Sequence, residues 1–216
     1  MDLTATDIAS ILGLGLAIIS LFLLFVVEWE KRPVIIFSDY VDEKAPQSAQ
    51  DKWYHLEVMN QEPWFFNRDA AMSCKARVNF LDTHTGVQLG LGQITSHWTN
   101  QPEPLDYTAK HLDPSKIPCC QTMDVGFRPE KFDVVRKYAG DAGFYPGDPW
   151  KIYFSRTNSQ VQQLRLNVKS CVLEVEVEAI NLGKRRTWYY KLTNSGAAVD
   201  DISITRLPTK PPFTGQ

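Results

Sequence analysis

The chain has 216 residues, with 23 Lys and Arg against 25 Asp and Glu, for a formal net charge of −2. That length holds one ordinary domain and an appendage, which excludes a large multidomain enzyme. Balanced charge supplies no global field for nucleic acid, and the 44% hydrophobic and 12% aromatic content belongs to a chain that builds a core rather than a disordered one.

After a short N-terminal tail, residues 1–7, the stretch from Ile8 to Val27 contains no charge, amide or proline and lies between Asp7 and Glu28. At about 1.5 Å rise per residue such a helix covers roughly 30 Å, the thickness of a bilayer's hydrocarbon core. Leu, Ile, Phe and Val surround it on every side, so it has no polar face to turn outward from a soluble core. The pattern predicts one transmembrane helix over residues 8–29. An excised signal peptide fits less well, because no Lys or Arg precedes the run and no small-residue cleavage site follows it.

Trp29, Lys31 and Arg32 sit where a membrane-interface anchor belongs. Lys31, Arg32 and Lys44 all follow the span and no cation precedes it. This places the C-terminal domain in the cytoplasm, with an extracytoplasmic domain as the alternative. Cys74, Cys119, Cys120 and Cys171 have no spacing that suggests a disulfide framework, in keeping with a reducing compartment. Ala9, Gly13 and Ala17 recur every four residues and form a candidate helix-packing face for self-association, although small residues are frequent in spans of any kind.

From residue 33 the periodicity changes to two, which marks strands with one buried face. Strands are predicted over Val34 to Val41, Lys52 to Met59 and Ser73 to Leu81, the last with Cys74, Ala76, Val78 and Phe80 inward. Asp82 to Gly86 supplies turn chemistry, and further strands are predicted at Val87 to Leu91 and Ile94 to Trp98. Prolines crowd residues 100–150, so loops and short edge strands such as Thr122 to Phe127 are expected there. Pro129 followed by Glu130, Val134, Val135 and Lys137 predicts a short helix to Tyr138.

Leu164, Leu166 and Val168 alternate out of phase with Cys171, Leu173, Val175 and Val177, which requires a break near Lys169 and Ser170. The second set forms a hairpin with Thr187 to Leu192 across Asn181 to Lys184, and Arg185, Arg186 and Lys191 are expected opposite Glu174, Glu176 and Glu178. Residues 206–216, with Pro208, Pro211 and Pro212, read as a mobile proline-rich tail, leaving 33–205 as the folded domain.

Strands broken by turns define an all-β sandwich. The run Trp53-Tyr54-His55-Leu56-Glu57-Val58-Met59-Asn60, followed after a loop by Asp69 to Phe80, resembles the second and third strands of CARDB-like immunoglobulin-type sandwiches. The resemblance covers about thirty residues, and Gln61-Glu62-Pro63 replaces the glycine usual after the asparagine. It implies an immunoglobulin-like fold of the sort used in adhesion and scaffolding, in a single-span protein similar to prokaryotic ones that carry no assigned activity.

Chemistry is sparse. No Cys-x-x-Cys, His-x-x-x-His, phosphate-cradling glycine loop or nucleophile elbow occurs, so no metal, cofactor or catalytic residue is assigned. Cys74 and Cys171 read as core residues. Pro63-Trp64-Phe65-Phe66 is the exposed candidate: Trp64, Phe65, Phe66 and Arg68 form a candidate contact loop for the membrane surface or a partner, or else a cap over an open end of the sandwich. The expected function is a membrane-anchored protein-binding or assembly module without catalytic activity. Its expected partners are the lipid bilayer and another protein, not nucleic acid. The alternatives are an accessory subunit of a larger membrane complex, or a metal- or thiol-dependent enzyme using His97, His111, Cys119 or Cys120.

Overall fold

The computed structural model describes residues 5–43, 50–63, 68–90, 92–100, 122–147, 164–182 and 185–214. It opens with the helix α1, Ala5–Lys31, long and apolar enough over Ala9–Lys31 to cross a membrane, with none of that stretch buried against the rest of the chain. Among the described residues, every regular element after it is a β-strand.

Two antiparallel sheets follow. One runs in the order β1 (Ile35–Glu43), β2 (Asp51–Asn60), β6 (Glu130–Tyr138) and β7 (Tyr145–Pro146). The other runs β10 (Ile202–Leu207), β9 (Arg186–Asn194), β8 (Ser170–Glu178), β3 (Ala71–Leu81) and β4 (Ile94–Thr95), with β5 (Met123–Val125) beside β3. Both sheets feed one apolar core. Tyr54, Leu56 and Val58 come from β2, Phe132 and Val135 from β6, Cys74, Ala76, Val78 and Phe80 from β3, Leu173 and Val175 from β8, and Tyr190 and Leu192 from β9. The alternation in β2, β3, β8 and β9 therefore turns the expected faces inward.

The helix expected after Pro129 is instead the strand β6, inside the first sheet between β2 and β7. Tyr54 pairs with Val135 and His55 with Asp133, so Val134 is an extra residue in a bulge. Phe132, Asp133, Val134 and Val135 are consequently all buried, a four-residue run that hides the period of two. Two adjacent β-branched residues also favour a strand over a helix. Gly147 closes this bulge: its N–H donates to Val134 O at 2.7 Å, and a Cβ there would lie 2.6 Å from the backbone carbons of Asp133 and Val134.

The strand expected over Val87 to Leu91 is reduced to an isolated bridge between Leu81 and Gln88. Gly86, Gly90 and Gly92 all take positive φ, which breaks the ladder. Ile94 to Trp98 serves both sheets in turn. Ile94 and Thr95 pair with β3, whereas Trp98 bridges Phe132 of β6, and Asp133 N–H donates to His97 O at 2.8 Å. The phase break before β8 falls as expected, because Leu166 bridges Phe144 rather than continuing the strand.

The β8–β9 hairpin forms, but of Glu174, Glu176 and Glu178 only Glu178 makes an ion pair among the described residues. Glu176 lies opposite Thr187 on β9 and Arg77 on β3, and Arg77 pairs with Glu178 at 2.5 Å. Of the three expected cations only Arg185 makes such a pair, with Glu178 at 3.1 Å; Lys191 lies opposite Val172 and Arg186 opposite Val177. β10, unanticipated as a strand, takes in Arg206 and Leu207. Past it, Thr214 N–H donates to His84 O at 2.8 Å and Phe213 lies against Gly86.

Candidate functional site

The helix passes into the body through a bonded joint. Asp69 N–H donates to Lys31 O at 2.9 Å, and Gln61 N–H to Val34 O at 2.8 Å. Asn60 ties the corner, its Oδ1 accepting from Val34 N–H at 2.8 Å and its Nδ2 donating to Asp69 O at 2.7 Å. Arg68 completes it, donating to Gln61 O at 3.0 Å and to Glu30 O at 3.3 Å. A cation on the last carbonyls of a helix also complements the helix dipole.

Of the expected contact loop, Arg68 thus belongs to the joint, while Trp64, Phe65 and Phe66 lie outside the described residues. The residues expected as an interface anchor lie along the end of α1. Trp29 is 60% exposed, stacks 6.0 Å from Phe25 and carries the Arg32 guanidinium 5.4 Å over its ring. Lys31 pairs with Glu28 at 3.1 Å. Ala9, Gly13 and Ala17 are exposed on α1.

The end of the body that carries this joint is built from the start of β3, the end of β5, the start of β6 and the β8–β9 turn. Gly126 O accepts from Asn60 N–H at 2.8 Å, Ile180 N–H donates to Met72 O at 3.0 Å, and Asn181 bridges Ala70 and Met72. Among the described residues, three large apolar side chains are displayed there: Met72 at 51%, Phe127 at 43% and Ile180 at 81% exposure. Ser73 has φ 51 and its N–H donates to Asp124 Oδ1 at 2.7 Å. It opens an irregular register between β3 and β5. Beside it an open cleft of about 560 Å³ is lined by Lys75, Arg185, Ile180 and Leu182, among others.

A second constellation, missed in the sequence, lies inside the body. Asp133 Oδ1 is 2.7 Å from His55 Nδ1 and Asp133 Oδ2 is 3.1 Å from His97 Nδ1, with all three side chains buried. Burial pushes the Asp133 carboxyl up, but the two imidazoles outweigh it and hold the group below its ordinary value. One carboxylate orienting two imidazoles is acid–base equipment in principle. Here neither His55 ring nitrogen makes a hydrogen bond among the described residues, its Nδ1 meeting Asp133 only as a close ion-pair contact, and the three side chains line neither described cleft. The cluster joins the crossover segment at His97 to β2 and β6.

His97 is the only one of the four enzyme candidates within the described residues; His111, Cys119 and Cys120 lie outside them. Among the described residues no group of three or more His, Cys, Asp or Glu is arranged to hold a metal ion. Cys74 and Cys171 are buried, which pushes both thiols up to about 12 and leaves them unreactive. Comparison with known protein families, with curated proteins and with solved structures finds no match.

Proposed function

We propose that the protein is a membrane-anchored protein-binding or assembly module without catalytic activity. In this reading α1 crosses the bilayer once, and the two sheets form an immunoglobulin-like sandwich of the CARDB-like kind on the cytoplasmic side. The observation that carries it is the bare apolar helix bonded directly to a folded body, since a helix with no buried face in its own chain requires lipid or another helix around it. Among the described residues β10 is the last strand of its sheet, and a groove beside it is lined by Ile204, Thr205, Arg206 and Pro208. An edge strand offers main-chain groups to an added strand, so the partner is expected there.

A photo-crosslinking side chain at Thr205 tests this in native membranes. A discrete adduct at 205, with none at the exposed Lys191, is the expected outcome, and equal labelling at both sites overturns the edge assignment. Protease added to spheroplasts should spare the body, whereas its digestion reverses the sidedness. The enzyme reading has the His97–Asp133 contact in its favour; stoichiometric zinc or copper in the purified full chain would bring it forward.

A further inference from the structure

We propose that the helix-proximal end of the body is itself a lipid-binding surface, seated in the headgroup layer of the bilayer that α1 crosses. The inference rests on the spanning reading of α1 and adds a second attachment to it.

Length sets the geometry. The apolar run ends at Val27, and the first backbone bond from the body reaches α1 at Lys31 O. Four residues of helix separate them, or about 6 Å at 1.5 Å per residue. The headgroup region on each side of a bilayer is about 5–8 Å deep. The end of the body therefore cannot stand clear of the lipid: Asn60, Asp69 and the segments bonded to them begin inside the interfacial layer.

The side chains at that end suit this position. Met72, Phe127 and Ile180 project from three separate segments, each tied by backbone hydrogen bonds to the same end. Among the described residues outside α1, Val87 is the one other large apolar side chain with comparable exposure. In water such tips would cost apolar hydration; at the headgroup and acyl boundary they are solvated by lipid, as the apolar face of a surface helix is. Arg32, Lys75, Arg128 and Arg186 lie around them and make no ion pair among the described residues. The exposed carboxylates nearby are Glu28, paired with Lys31, and Glu62, Asp69 and Asp124, the last occupied by Ser73 N–H. The cleft beside Ile180 is lined by Lys75, by the Arg185–Glu178 pair at 3.1 Å, and by Ile180 and Leu182, so Lys75 is the cation it offers to a phosphate, beside apolar contact for the glycerol end of a phospholipid.

Spin labels read the depth directly. Single cysteines are introduced as Phe127→Cys, Ile180→Cys, Val87→Cys and Leu21→Cys in a Cys119→Ser, Cys120→Ser background of the full chain. The labelled protein is placed in nanodiscs of mixed phosphatidylcholine and phosphatidylglycerol. Labels at 127 and 180 should be relaxed by oxygen and shielded several-fold from an aqueous nickel chelate, relative to 87. If 127 and 180 behave like 87 while 21 remains in lipid, the seated end is wrong and the span survives. If 21 is itself in water, the spanning reading falls and takes the seated end with it. Near-ultraviolet circular dichroism confirms the fold of each variant, and Met72→Cys replaces any of the two proximal labels that loses it.

Discussion

The two ends of the body are finished differently. At the end away from α1, polar groups are sewn together inside the protein. Lys137, fully buried, donates to Asp141 O at 2.7 Å, Gly196 O at 2.8 Å, Gly143 O at 2.9 Å and Asn194 Oδ1 at 3.0 Å. Asp141 accepts from Arg165, Tyr145 and Gly143 N–H, and Lys52 meets Asp200 at 2.5 Å. Burial pushes the Asp141 carboxyl up, and these donors outweigh it and bring the group below its ordinary value. At the end joined to α1, the loop tips instead leave Met72, Phe127 and Ile180 uncovered. An end that closes on its own hydrogen bonds is finished for water, whereas one that leaves apolar tips outward is finished by something else, which on our reading is lipid.

The largest effect is expected where the far end is closed. Lys137→Met leaves four acceptors without their donor and should cost about 3 kcal/mol or more, lowering Tm by roughly 10 °C. An unchanged Tm in thermal unfolding would break the contrast between the ends.

Next comes the cluster that ties the middle. Asp133→Asn should destabilise by about 2 kcal/mol and change the pH profile. Because the folded state holds the Asp133 pKa below its ordinary 3.8, the stabilisation is complete above that value and is lost as pH falls through the lower folded one. Wild-type stability should therefore decline on acidification, and the Asn variant should decline less; chemical denaturation at a series of pH values reads both.

A smaller effect is expected at the joint. Arg68→Ala removes the side-chain bonds to Glu30 O and Gln61 O, at about 1 kcal/mol. It should broaden the distance distribution between spin labels on α1 and the body in nanodiscs, and an unbroadened distribution would show that the backbone bonds alone set the stance. The smallest change in folding belongs to the proximal tips. Ile180→Ser should shift Tm by no more than the equivalent of about 0.5 kcal/mol, while reducing the lipid exposure of a label at 127. A large loss of stability would mean that Ile180 packs on the body rather than on lipid.

What could be read from the sequence depended on how each segment is buried. β2, β3 and the β8–β9 hairpin have one buried face, so alternation betrays them. β6 has a four-residue buried run, Phe132 to Val135, around the bulge at Val134, and that run with Pro129 in front reads as well for a helix. The cation partners of Glu178 depended on register, since shifting a pairing by one residue moves every side chain to the other face. Only the folded pairing brings Arg77 to Glu178 and leaves Lys191 opposite Val172.

The candidate site divides the same way. The expected anchor of Trp29, Lys31 and Arg32 is a matter of position along the chain, beside the apolar run, and needs no tertiary contact to be named. The proximity of Met72, Phe127 and Ile180 has no local signal: the three lie far apart in the chain and meet only through the bonds of β3 with the β8–β9 turn and of Asn60 with Gly126. His55, His97 and Asp133 are likewise contributed by three segments with no motif among them.

By itself the sequence determined a bilayer-length apolar helix and an antiparallel β body behind it, because both follow from periodicities that repeat within a few residues. Tertiary structure alone decided where β6 runs, which charges are buried at Lys137 and Asp133, and which loop tips share an end with α1. Those outcomes are set by contacts between residues distant in the chain, whose free energy exists only once the two sheets have paired and closed over one core.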